Sequence, residues 1–194
     1  MSSSPTKDKI LEASLHLFST KGYKGTTTKL IAKEAGTSEM AVFRNFGTKK
    51  NILKEIVESK KPQTLERVQT FIQNKETWDL KEDLTVIANM HMDFLRNNFS
   101  FILIVMFHEL DDEITEMLTD LPFGLKKELK NYLQRMHAMG KLKEIDIDIA
   151  ASQFLAMNIG YLLLKNRFKD TFLSIDDDSY VKQSVATFAE GMIP

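Results

Sequence analysis

The 194-residue chain contains no cysteine. That excludes a disulfide framework and thiol catalysis, and makes a reducing cytoplasm the expected compartment. With only four prolines and eight glycines, little interrupts long stretches of helical spacing. Sustained strand-like alternation is lacking as well. Ile145-Asp146-Ile147-Asp148-Ile149 alternates, then runs straight into a helical stretch. The longest unbroken apolar run, Phe101–Phe107, spans seven residues, whereas a membrane helix needs about 20. No membrane span is expected. Met1–Lys7 is not followed by an apolar core of the secretory kind.

Short catalytic motifs are missing too. Di-metal helical bundles use Glu-x-x-His pairs, yet no Glu stands three residues before His16, His91, His108 or His137. His108-Glu109 lacks the second His of a zinc-protease helix, and neither Gly-x-Ser-x-Gly nor a P-loop pattern occurs. No catalytic residue, no metal site and no cofactor are expected. A helical-bundle enzyme is the weaker alternative.

What is present is an ordinary balance, 43% hydrophobic and 27% charged residues with a net charge of −1. That small net charge hides an asymmetry. Residues 1–60 hold 11 Lys/Arg against 6 Asp/Glu, and residues 61–194 hold 15 against 21. A basic head on an acidic body suggests that the head meets a polyanion.

The residue spacing predicts an all-α chain of about nine or ten helices. Ser4 and Pro5 suit the start of the first, with Ile10, Leu11, Leu15 and Phe18 on its apolar face and Gly22 at its end. A short helix follows from Thr27 to Ala35, capped by Thr26 or Thr27 and stopped by Gly36. Ser38 caps another, reaching Asn45. A fourth buries Ile52, Leu53, Ile56 and Val57 and ends near Pro62, which divides an N-terminal domain (1–61) from a C-terminal one (62–194). Beyond it, Leu80, Leu84, Ile87, His91, Phe94 and Leu95 step by three and four, as do Leu125, Leu129, Leu133 and Met136. Asp176-Asp177-Asp178 opens the last helix, where acids complement the dipole.

Two short helices joined by a Gly-containing turn read as a helix-turn-helix, whose second helix lies in the DNA major groove. Val42 and Phe46 anchor that helix to a small core. Glu39, Met40, Ala41, Phe43, Arg44 and Asn45 are then the candidates for reading bases; Arg suits guanine and Asn suits adenine. Thr27, Thr28, Lys29 and Lys49 are candidates for phosphate contacts. On these residues alone, the alternative is a small helical domain whose polar residues face water, in a binding or interaction protein that does not touch DNA.

The stretch Gly22-Tyr23-Lys24-Gly25-Thr26-Thr27-Thr28-Lys29-Leu30-Ile31-Ala32-Lys33-Glu34-Ala35-Gly36 closely resembles the opening of the TetR/AcrR DNA-binding domain. Ser38 through Phe43-Arg44-Asn45-Phe46, then Lys49 and Leu53, continues it in register. The resemblance implies a three-helix DNA-binding head followed by a helical domain that binds a ligand and dimerises. It also implies a homodimer on a double-stranded, palindrome-like operator and repression relieved by a small-molecule effector. Two positions depart from the family pattern. Met40 stands where Gly is frequent, adding bulk that could touch a thymine methyl. Phe43 stands where Tyr is usual, and has no hydroxyl for a phosphate.

Ile149 to Leu164 carries no charge over sixteen residues, as a helix buried on most sides would. It is shorter than a membrane span. The resemblance places this helix and the last one at a dimer interface, with Phe154, Ala156, Gly160, Leu163, Val181, Val185 and Phe188 as candidates. A core helix is the alternative. For the effector pocket the resemblance points to the middle helices, with Met90, His91, Phe94, Phe101 and Met106 as candidate walls, joined by Phe107, Met117, Met157 and Tyr161. Ten methionines and thirteen phenylalanines suit an adaptable apolar pocket and an apolar effector.

Overall fold

A computed structural model describes residues 5–60, 62–110, 112–169 and 174–194. Among them the chain forms ten α-helices. These are α1 (Pro5–Lys21), α2 (Thr28–Glu34), α3 (Glu39–Phe46), α4 (Lys49–Lys60) and α5 (Pro62–Asn74), then α6 (Leu80–Asn97), α7 (Phe99–Phe107), α8 (Asp112–Ala138), α9 (Ile147–Phe168) and α10 (Asp177–Glu190). No strand occurs among the described residues. The alternation at 145–149 becomes helical because the Asp146 side chain accepts the Ile149 N–H at 2.9 Å and caps α9.

The chain divides into two compact units, Met1–Pro62 with Asn98–Asp120, and Gln63–Asn97 with Leu121–Pro194. A contiguous division at residue 61 would miss that residues 98–120 group with the N-terminal helices. The cause is apolar. α7 buries Phe101, Ile102 and Ile104 and packs on α1. Around that contact His108 Nε2 lies 3.2 Å from Ser19 O, and Lys24 Nζ reaches Glu109 at 3.0 Å.

In the first unit α1 buries Ile10, Ala13, Ser14, Leu17 and Phe18, while Leu11 and Leu15 are only half-buried. The buried face is thus turned by about one residue from the one the apolar spacing predicts. Ser14 can enter it because its hydroxyl donates to Ile10 O at 2.7 Å, leaving no orphaned polar group. Ser4, expected to cap α1, lies outside the described residues. α4 buries Ile52, Leu53, Ile56 and Val57.

In the second unit α6 packs on α9 and α10. It buries Leu84, Ile87, His91, Phe94 and Leu95, and α8 contributes Leu125, Leu129, Leu133 and Met136 to the same core. Two polar clusters tie these helices. Buried Asp83 accepts from the Thr77 and Trp78 N–H groups, the Thr77 hydroxyl and the Tyr132 hydroxyl. Asp177 accepts from Tyr161, Lys165 and Arg96 at 2.6–2.7 Å.

α9 is longer than its uncharged run. It extends over 22 residues because the charges at its ends are paired, Asp148 with Lys126 and Lys130, and Lys165 with Asp177. By length and composition alone it is long and apolar enough to cross a membrane, a test that core helices of soluble proteins also pass, which corrects the expectation that no segment is long enough. One side of α9, carrying Ala151, Phe154, Asn158 and Leu162, is buried within its own unit.

Candidate nucleic-acid interface

The turn between α2 and α3 is built from local signals. Thr27 caps α2, its side chain accepting the Leu30 N–H at 3.2 Å. Gly36, at φ +63°, closes the other end. Its N–H bonds Lys33 O, and the Thr37 N–H bonds Ala32 O. This pairing satisfies two terminal carbonyls and needs the left-handed conformation that glycine adopts without a Cβ clash. Ser38 then caps α3 by accepting the Ala41 N–H at 3.1 Å. Thr26, the other candidate cap, is buried and donates to Gly22 O at 2.8 Å.

α3 buries Val42 and Phe46. At about 100° per residue, Arg44 falls directly opposite them, Met40 beside it, and Phe43 on the flank between Met40 and Phe46. Met40 is 81% exposed and Phe43 68% exposed; Arg44 is exposed as well. Two other candidates are partly engaged inside the unit. One Glu39 carboxylate oxygen accepts the Thr28 hydroxyl at 2.6 Å. The Asn45 amide donates to Ala41 O at 2.7 Å. Ala41 is half-buried beside them.

Among the phosphate candidates, Thr27 and Lys29 are exposed and Thr28 is half-buried. Lys49 is employed differently. Its ammonium donates to Tyr23 O at 2.7 Å and Thr26 O at 2.8 Å, and sits 4.2 Å from the Tyr23 ring centroid. It staples the α1–α2 loop to the start of α4, a task for which the sequence has no local signal.

The remaining candidates divide between the units. Phe101, Met106 and Phe107 belong to the first; Phe101 is buried, Met106 and Phe107 exposed. The side chain of Met117 lies outside the described residues. Met90, His91, Phe94, Met157 and Tyr161 belong to the second. There burial lowers the His91 pKa to about 4, so the imidazole is neutral. Its Nδ1 lies 3.4 Å from the Asn158 amide nitrogen, while the fully buried Asn158 Oδ1 has no hydrogen-bond partner among the described residues. Asn158 was not among the candidates. A polar residue amid a sixteen-residue uncharged run was the signal that could have found it.

Of the dimer candidates, Phe154, Val181 and Val185 are buried within the chain, with Phe154 against Phe188 at 5.4 Å between ring centroids. Ala156 is exposed, and Gly160, Leu163 and Phe188 are half-buried. Ala156, Gly160 and Leu163 share α9 with exposed Ile149 and Leu164.

Residues 10–56 match the family model of bacterial regulatory proteins of the tetR family, and residues 82–191 match that of the AefR-like transcriptional repressor C-terminal domain. The HTH-type transcriptional regulator YvkB of Bacillus subtilis (strain 168) is 28% identical, over 97% of each chain. The fold is shared with two solved structures. The fatty acid degradation regulator FadR from Bacillus halodurans superposes with a TM-score of 0.73 at 18% identity, over 98% of each chain. FadR from Bacillus subtilis, solved in complex with stearoyl-CoA, gives 0.71 at 20% identity, over 94% of this chain and 96% of that one. With both models matched, the second over more than half of the chain, the chain belongs to the TetR family and is a DNA-binding transcription regulator of the repressor kind.

Proposed function

We propose that residues 1–61 form the reading head of a cytoplasmic homodimer, and that residues 62–194 bind the effector and join the two copies. The observation that carries this reading is the face of α3. Met40, Phe43 and Arg44 are exposed while Val42 and Phe46 are buried, as a helix seated in the major groove requires. Thr27, Thr28 and Lys29 hold the backbone phosphates. Lys49 acts indirectly, by fixing the loop that carries the threonines.

The partly exposed side of α9, with Ala156, Gly160 and Leu163, meets its counterpart in the second copy. Small residues four apart let the two helices approach closely. Phe154, Val181 and Val185 support that surface from within. Two-fold symmetry then presents two α3 helices about 34 Å apart, one turn of DNA.

The effector is apolar, and its walls are drawn from Met90, His91, Phe94, Met157 and Tyr161 in the second unit. A relative of the same fold holds stearoyl-CoA, which favours a long-chain acyl compound. Release from DNA follows if the effector binds better to a body conformation that misplaces the heads, because a ligand shifts an equilibrium only by its differential affinity.

The test is selection of bound sequences from random DNA at two salt concentrations. A two-fold symmetric site with salt-sensitive affinity supports the dimeric reader. A site without symmetry would overturn the homodimer.

A further inference from the structure

The outward surface of α3 is short of hydrogen-bonding groups. Base edges are ordinarily distinguished by donors and acceptors, with methyl contacts at thymine as the apolar supplement. Here one Glu39 oxygen is taken by Thr28, and the Asn45 amide is turned back on Ala41 O. Arg44 is the one long donor side chain left on the outward arc, and beside it stand two large apolar groups. Met40 is 81% exposed and Phe43 is 68% exposed.

Their register is informative. Residues three apart on a helix lie about 60° apart around the axis and about 4.5 Å apart along it. The stacking distance of base pairs is about 3.4 Å. Side chains as long as Met and Phe span that difference easily, so the pair faces two neighbouring base pairs. An apolar pair in water gains nothing until something covers it. The surrounding head has an excess of positive charge, 11 Lys/Arg against 6 Asp/Glu over residues 1–60, which favours nucleic acid as the cover.

We propose that Met40 and Phe43 read thymine C5-methyl groups on two adjacent base pairs in each half-site, with Arg44 supplying the one hydrogen-bonded base contact beside them. The inference rests on α3 being the reading helix. It adds that specificity at two positions is carried by apolar packing on methyls.

Uracil tests this directly, because it differs from thymine only in lacking that methyl. An operator recovered by selection is resynthesised with uracil at single thymine positions, and affinity is measured for the wild-type protein, Met40→Ala, Phe43→Ala and Arg44→Ala. Burial of one methyl-sized group corresponds to about a fourfold change in affinity. The expected result is that loss at two adjacent positions in each half-site, and none at flanking thymines. Met40→Ala removes the loss at one position and Phe43→Ala at its neighbour, whereas Arg44→Ala retains both. Both apolar side chains are exposed, and unchanged melting temperatures will show that the variants fold. Wild-type binding indifferent to uracil at every position would overturn the inference while leaving the reading head intact. So would a uracil loss that persists undiminished in both apolar variants. Failure to recover any bound sequence would overturn the reading head, and the inference with it.

Discussion

The two compact units hold their helices by different chemistry. In the first, the ties around α2 and α3 are local. Thr27, Gly36 and Ser38 each satisfy a helix end within three to five residues of themselves. In the second, the ties are long-range and polar. Asp83 reaches Tyr132, Asp177 reaches Arg96, and His91 faces Asn158 across 67 residues of sequence. A local cap is worth about 1 kcal/mol and is insensitive to pH when made by a hydroxyl. A buried charge or a buried neutral histidine is worth more and depends on protons. The polar ties of the second unit are therefore sensitive to pH at His91 and Asp177, whereas hydroxyl caps are not.

The largest effect should come from Asp83. Replacing it by alanine strands the Thr77 and Trp78 N–H groups and the Tyr132 hydroxyl, and releases Trp78 from its left-handed backbone conformation at φ +61°. We expect a loss of about 3–5 kcal/mol. Urea unfolding followed by the fluorescence of the single tryptophan will measure it. A loss below about 1 kcal/mol would mean that the cluster does not hold the body.

His91 gives a pH signature. Unfolded, it takes a proton near 6.5; folded, only near 4. The unfolded state therefore binds more protons between these values. The stability it contributes is complete above pH 6.5 and declines as pH falls toward 4, by up to about 3 kcal/mol. His91→Gln should flatten that part of the curve. Asp177 acts lower on the scale. Burial would raise its pKa, but hydrogen bonds from Lys165, Tyr161 and Arg96 outweigh this and bring it to about 2. Its contribution is present above the ordinary value of 3.8 and disappears as pH falls toward 2. A wild-type curve that is level from pH 6.5 to 4 would remove the contrast between the units.

Lys49 adds a long-range tie to the local ones inside the head. Lys49→Met keeps the stem and deletes the ammonium that serves Tyr23 O and Thr26 O. About 2 kcal/mol of stability should be lost, and DNA affinity should fall alike at all sequences with the salt slope preserved. A direct phosphate contact would instead lower that slope by about one. Melting curves together with a salt titration separate the two.

These contrasts also explain what the sequence could tell. Caps and glycine stops announce themselves within one turn of helix, so α2, α3 and α4 were readable to within a residue or two. The core positions of α6 and α8 were readable from their spacing by three and four. The inward turn of Lys49, the back-bond of Asn45 and the grouping of α7 with α1 depend on partners that periodicity does not name. For the same reason the effector candidates, chosen as apolar residues of the middle helices, divided between two units, and Asn158 escaped notice.

In the proposed head, labour is divided, with phosphates held by one set of residues and bases read by another. This division is tested most directly by measuring affinity against salt for wild type, Lys29→Ala and Arg44→Ala, on the selected operator and on its single-base variants. Lys29→Ala should weaken binding equally on all of them and lower the salt slope by about one. Arg44→Ala should abolish discrimination at one base pair of each half-site, where wild type discriminates by about 1–3 kcal/mol. Uniform loss of affinity in both variants, with base discrimination intact, would contradict this division.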